Sequence, residues 1–115
     1  MGSKEDMQRD QRNAFVAEYV AASIALGVKA NRLARGWTQR DLAKRAGMKQ
    51  ASIARLEATT AETMPSIRTL ERVASAFDVA LIVRMERFKA FAVPSADQDT
   101  GLEPRGDGPV TKGDE

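Results

Sequence analysis

The residue pattern predicts a mainly α-helical domain that opens with a long helix and closes with a short strand, and three observations carry that expectation. Between about Asn13 and Arg35 apolar residues recur at helical spacing. Residues 37–57 read as two short helices hinged at Gly47, with Leu42, Ala43 and Ala46 on one face of the first and Ile53 and Leu56 on one face of the second. Ile67, Leu70, Val73, Ala74 and Phe77 then mark a further amphipathic helix. The domain is expected over residues 13–93, after a flexible N-terminus (residues 1–12) and before a disordered acidic tail (residues 94–115).

Each element has a local reason. The first helix carries an early stripe of Phe15, Val16, Tyr19, Val20 and Ile24 and a later one of Leu26, Ala30, Leu33 and Ala34. Gly27 between them costs about 1 kcal/mol relative to alanine and allows a bend. Arg35-Gly36 ends this helix, and Thr38 caps the next, with Asp41 three residues on at the favourable end of the dipole. Gly47 sits where that helix must stop in a left-handed conformation that glycine adopts cheaply. A polar connection follows to Met64, after which Pro65-Ser66 opens the last helix, with Ser66 as cap and Asp78 at its end. Residues 79–85 are β-branched, apolar and bounded by charge, the pattern of a strand. Phe88 and Phe91 follow in a segment without periodicity, and from Pro94 onward the chain is rich in Pro, Gly, Asp and Ser.

Composition narrows the chemistry. The chain has no cysteine and no histidine, which removes disulfides, thiol nucleophiles, histidine bases and nearly every zinc site together. With no phosphate-binding glycine loop either, neither an enzyme, nor a metal, nor a cofactor is expected. The net charge of +2 averages unlike parts: residues 94–115 sum to −4, whereas residues 29–55 sum to +7. A basic block of that density suits a polyanionic partner. No secretory signal is visible, and the apolar run at 14–28 is interrupted by Glu18 and too short to span a bilayer. A cytoplasmic protein with no membrane partner is expected.

Taken together, Gly36-Trp37-Thr38-Gln39, Leu42-Ala43, the Gly47 turn, Ile53, Leu56-Glu57, Pro65-Ser66 and the closing Ala74, Ala76 and Phe77 resemble the Cro/phage-repressor-type (XRE) helix-turn-helix family over about residues 25–80. The resemblance implies a four- or five-helix, lambda-repressor-like bundle that binds double-stranded DNA, the helix starting near Lys49 entering the major groove. Lys49, Gln50, Ala51, Ser52 and Arg55 then face base edges. Gln50 is the best reader of adenine, Arg55 suits guanine or a phosphate, and Ala51 can touch only a thymine methyl. Thr38, Gln39 and Arg40 are the phosphate candidates at the first motif helix, and Thr60 and Arg68 are weaker ones. Lys44 and Arg45 are read as solvated surface. The resemblance pairs Arg32 with Glu57 as a structural ion pair, which takes Arg32 out of the DNA site.

Two departures from the family pattern stand out. Lys49 occupies a position that commonly holds a capping Ser or Thr, and Ala58-Thr59 replaces the usual Asn-Gly. The extra apolar segment at 13–24 suggests a homodimer, as does the lone strand, which needs a partner in a two-fold mate or in the segment around Phe88; Phe15, Tyr19, Leu81 and Val83 are the interface candidates. The expected function is a dimeric repressor of transcription. The alternatives are an antitoxin that neutralises a toxin partner and represses its own operon, or a protein-interaction module on the same fold.

Overall fold

The computed structural model describes residues 3–88 as four helices and one short 3-10 turn: α1 (Lys4–Ala34), α2 (Gln39–Ala46), α3 (Gln50–Leu56), the 3-10 turn Ala61–Thr63 and α4 (Ile67–Phe77). Among these residues there is no β-strand. The expected strand at 79–85 is irregular backbone, and among the described residues there is no second strand with which it could form a ladder. The expected acidic tail at 94–115 and Phe91 lie outside the described residues.

α1 starts earlier than its apolar pattern suggests. Ser3 caps it: its Oγ accepts the Asp6 amide at 3.1 Å, while its own amide donates to the Asp6 carboxylate at 3.4 Å. This capping box nucleates helix through the polar residues ahead of Asn13. The helix then runs unbroken through Gly27 to Ala34, about 46 Å at 1.5 Å per residue. Its buried register is Ala21, Val28 and Arg32, with Ile24 packed against the core. The later expected stripe faces outward, Leu26 and Leu33 being 65% and 56% exposed. A residue two positions from Val28 points about 200° around the helix, so the two registers are exclusive.

α2 and α3 form the expected hinged pair. Thr38 Oγ1 accepts the Asp41 amide at 3.0 Å and the Asp41 carboxylate accepts the Thr38 amide at 2.8 Å. Gly47 lies at φ 66°, ψ 38°, in the left-handed region, and its amide closes α2 on Ala43 and Lys44. α4 begins with Ser66 Oγ accepting the Thr69 amide at 3.1 Å and ends at Asp78, also left-handed at φ 61°. Ile67, expected on its buried face, is 51% exposed.

The core is small and unites all four helices: Val28, Leu42, Ala43, Ile53, Leu56, Val73 and Phe77. Leu42 and Ile53 are fully enclosed, so α2 and α3 are held against each other by apolar contact rather than by the turn alone. Trp37 stacks on Phe77 with ring centroids 5.8 Å apart and closes one side. The Arg35 guanidinium lies 4.8 Å over the Phe77 ring and donates to the Phe77 carbonyl at 2.8 Å, fastening the end of α1 to the end of α4.

One ion pair is buried among these elements. Arg32 Nε and Nη2 donate to Glu57 Oε2 and Oε1 at 2.6 and 2.9 Å, and Arg32 Nη1 donates to the Trp37 carbonyl at 2.8 Å. The two side chains are only 10% and 6% exposed. Burial alone would raise the Glu57 carboxyl, but hydrogen bonds from Arg32 and Gln39 outweigh it and hold the group below the ordinary glutamate range.

Two outcomes follow from these arrangements. A Cβ at Gly47 would meet no atom within 4 Å, so Gly47→Ala should cost only its backbone strain, about 1 kcal/mol in chemical denaturation, and Gly47→Asn less. The depressed Glu57 carboxyl stabilises the fold fully above the ordinary glutamate range, and that contribution should be lost as pH falls through its lower folded value. Denaturation curves between about pH 6 and 3 should show this decline. Glu57→Gln should be less stable at neutral pH by about 3 kcal/mol and show a shallower decline.

Candidate nucleic-acid interface

The two helices after Trp37 place their polar residues by elimination. α3 has seven residues, too few to be stable alone, and its orientation comes from burying Ile53 and Leu56. That choice turns Gln50, Ala51 and Arg55 outward, with Ser52 half-buried. Lys49 is the N-cap residue, exposed, and makes no side-chain capping bond. An ammonium cannot accept an amide hydrogen, and its charge opposes the helix dipole by about 0.3–1 kcal/mol. Arg55 Nη2 donates to Ser52 Oγ at 3.3 Å, one turn back on the same face.

α2 approaches this face through Gln39. The Gln39 amide Nε2 donates to Glu57 Oε1 at 3.1 Å, and its Oε1 accepts from Gln50 Nε2 at 3.4 Å. A continuous polar chain therefore runs from Arg32 on α1, through Glu57 at the end of α3 and Gln39 on α2, to Gln50 at the start of α3. The expected Arg32–Glu57 pair and the expected phosphate and base candidates Gln39 and Gln50 are thus joined in one array. Their connection was not legible in the sequence, because it links positions 11, 18 and 25 residues apart.

The remaining candidates are more scattered. Thr38 and Arg40 are exposed at the first turn of α2, beside Gln39. Thr60 sits at the 3-10 turn with its hydroxyl 3.1 Å from that of Thr63, and Arg68 is exposed in the first turn of α4, on separate elements from α2 and α3. Arg45, expected as plain solvated surface, places its guanidinium 4.2 Å over the Trp37 ring. Tyr19 and Val83 are exposed, while Phe15 and Leu81 are half-buried. Sequence reasoning missed the roles of Arg35 and Arg45; an arginine near a lone tryptophan was the available signal.

Between positions 37 and 56 Arg40, Lys44, Arg45, Lys49 and Arg55 are all exposed, and Asp41 is the one acidic residue. That carboxylate is occupied by the Thr38 backbone and hydroxyl, which hold it below the ordinary aspartate range. The exposed surface of α2 and α3 thus carries an excess of positive charge together with amide and hydroxyl groups, the composition that engages phosphates and base edges.

The helix-turn-helix family model matches residues 28–83, a span that begins within α1 and runs past α4. No curated protein and no solved structure matches the chain. Among the described residues no helix is long and apolar enough to cross a membrane. With the left-handed glycine between two short helices, the shared core and the matched span in agreement, residues 28–83 form a helix-turn-helix domain of the Cro/phage-repressor type (XRE), a family of DNA-binding transcription regulators.

Proposed function

We propose that this chain is a sequence-specific regulator that represses transcription by occupying a promoter, laying α3 in the major groove as one half of a dimer. The observation that carries the reading is the division of α3 into a face wholly committed to the core, Ile53 and Leu56, and a face of exposed hydrogen-bonding and cationic side chains. In this reading Gln50 pairs with adenine N6 and N7, Arg55 reaches guanine or a phosphate, and Ala51 meets a thymine methyl while Ser52 adds a hydroxyl. Thr38, Gln39 and Arg40 hold the phosphate backbone that sets the register of α3, with Thr60 and Arg68 as flanking contacts.

Dimerisation is supported by the segment after α4. Ile82 and Val83 are 71% and 64% exposed, on backbone that pairs in no ladder among the described residues, which leaves apolar β-branched side chains and backbone groups open to a partner. A two-fold mate would cover them, with Leu81 beside them and Phe15 and Tyr19 on α1 as further interface candidates.

Selection of random duplexes by the purified protein at about 150 mM salt tests the reading. A palindromic motif with half-sites about 10 bp apart, centre to centre, is expected. Salt-sensitive retention without sequence preference would instead favour an interaction module. Lys49 offers a second test, since it forgoes a cap at a site where its charge is useful only to a polyanion. Lys49→Thr should stabilise the fold by about 1 kcal/mol in denaturation, yet bind duplex more weakly and with a salt slope reduced by about 1.

A further inference from the structure

A glutamine side chain reads a base only if its amide is presented the right way round, and nothing intrinsic to glutamine decides this. Its oxygen and nitrogen are nearly the same size and differ only in what they bond. At Gln50 the surroundings do decide. The Glu57 carboxylate, held ionised by Arg32, has acceptors only. Gln39, 3.1 Å away, must therefore turn its NH2 group toward Glu57, which leaves its Oε1 as the atom within reach of Gln50. An oxygen can only accept, so Gln50 must turn its own NH2 group toward Gln39.

We infer that the buried Glu57 carboxylate, acting through the Gln39 amide, sets the orientation in which Gln50 presents its side chain to a base, which makes Glu57 and Gln39 specificity-determining positions. The inference rests on the proposed role of Gln50 as a base reader. An amide has one bidentate edge, made of its oxygen and the N–H on the same side. In this arrangement the other N–H is left to serve Gln39. The free edge then offers an acceptor and a donor side by side, the complement of adenine N6–H and N7. Reversing the Gln50 amide would set its oxygen against the Gln39 oxygen and exchange acceptor and donor along the free edge, which would then no longer match adenine held in the same place. Glu57 is a positioning residue here: it is buried, and it acts on the base only through two intervening side chains. Gln39 couples the array to the phosphate backbone as well, so base preference and backbone grip share one side chain.

The test uses the full chain and a duplex recovered from the random selection, with its single-base variants. The position read by Gln50 is identified as the one whose preference disappears in Gln50→Ala. Gln39→Leu removes the relay and leaves the Arg32–Glu57 pair in place, so it should fold. It should weaken every duplex, and in addition reduce the preference at the Gln50 position by roughly tenfold, the scale of one bidentate contact. In the Gln50→Ala background Gln39→Leu should leave that preference unaltered, because nothing remains to be oriented. Glu57→Gln, assayed where circular dichroism shows it folded, should lose the same preference, since a neutral amide at 57 lets Gln39 turn either way. Uniform weakening by Gln39→Leu with the preference ratio intact would overturn the relay while leaving Gln50 as reader. Absence of any lost preference in Gln50→Ala would overturn both the reader and the relay.

Discussion

A carboxylate taken out of water must find partners for both its oxygens, and in this protein Glu57 finds them on two other helices. Arg32 of α1 supplies two N–H groups and Gln39 of α2 supplies a third, while Glu57 itself ends α3. Each partner is brought there by the burial of its neighbours: Arg32 lies one turn beyond Val28, and Gln39 opens the helix whose Leu42 is fully enclosed. The apolar core supplies the driving force, and the ion pair demands a single arrangement of the three helices around it. A hydrophobic trio of the same volume could hold the helices as firmly. It would not tie the start of α2 and the start of α3 to one fixed charge.

That distinction bears on what a seven-residue helix can do. α3 has neither the length to form alone nor a side-chain cap at its start. Its position is borrowed from Ile53 and Leu56 below it and from the Gly47 turn before it. A helix so dependent on its supports is rigid relative to them, and rigidity is what a surface needs to discriminate among base edges. Lys49, which breaks the local capping rule, is exposed, and in the proposed reading its charge serves a polyanion at the cost of some helix stability.

The same small core explains why aromatic and cationic groups cluster at its edge. With one tryptophan in the chain, the side of the bundle between α1, α2 and α4 is closed by a stack of Trp37 on Phe77. Arg35 and Arg45 lie over these rings, using their planar faces as cover while their charges stay near solvent. Two arginines that look like surplus charge in the sequence are thus part of the fold's packing. The basic character of the surface is in part a by-product of how the bundle is sealed.

Local chemistry determined much of this protein on its own. Thr38 with Asp41, Ser66, Gly47 and Asp78 mark helix ends that need only their neighbours, and the structure ends its helices there. Leu42, Ala43, Ala46, Ile53 and Leu56 were legible as core because a short amphipathic helix has one apolar face to bury. α1 was less legible. Its apolar residues populate more than one face, so periodicity alone could not choose between Val28 and Leu26, and only the position of the other helices did. The short polar start of the same helix escaped notice because a capping box, Ser3 with Asp6, does there what an apolar stripe does elsewhere. The fate of residues 79–85 illustrates the opposite limit, since a strand is defined by a partner that one chain's local sequence cannot supply. The array from Arg32 to Gln50 belongs to tertiary structure as well: the four residue types were readable, but hydrogen bonds between separate helices depend on angstrom-scale distances that only the packed core sets.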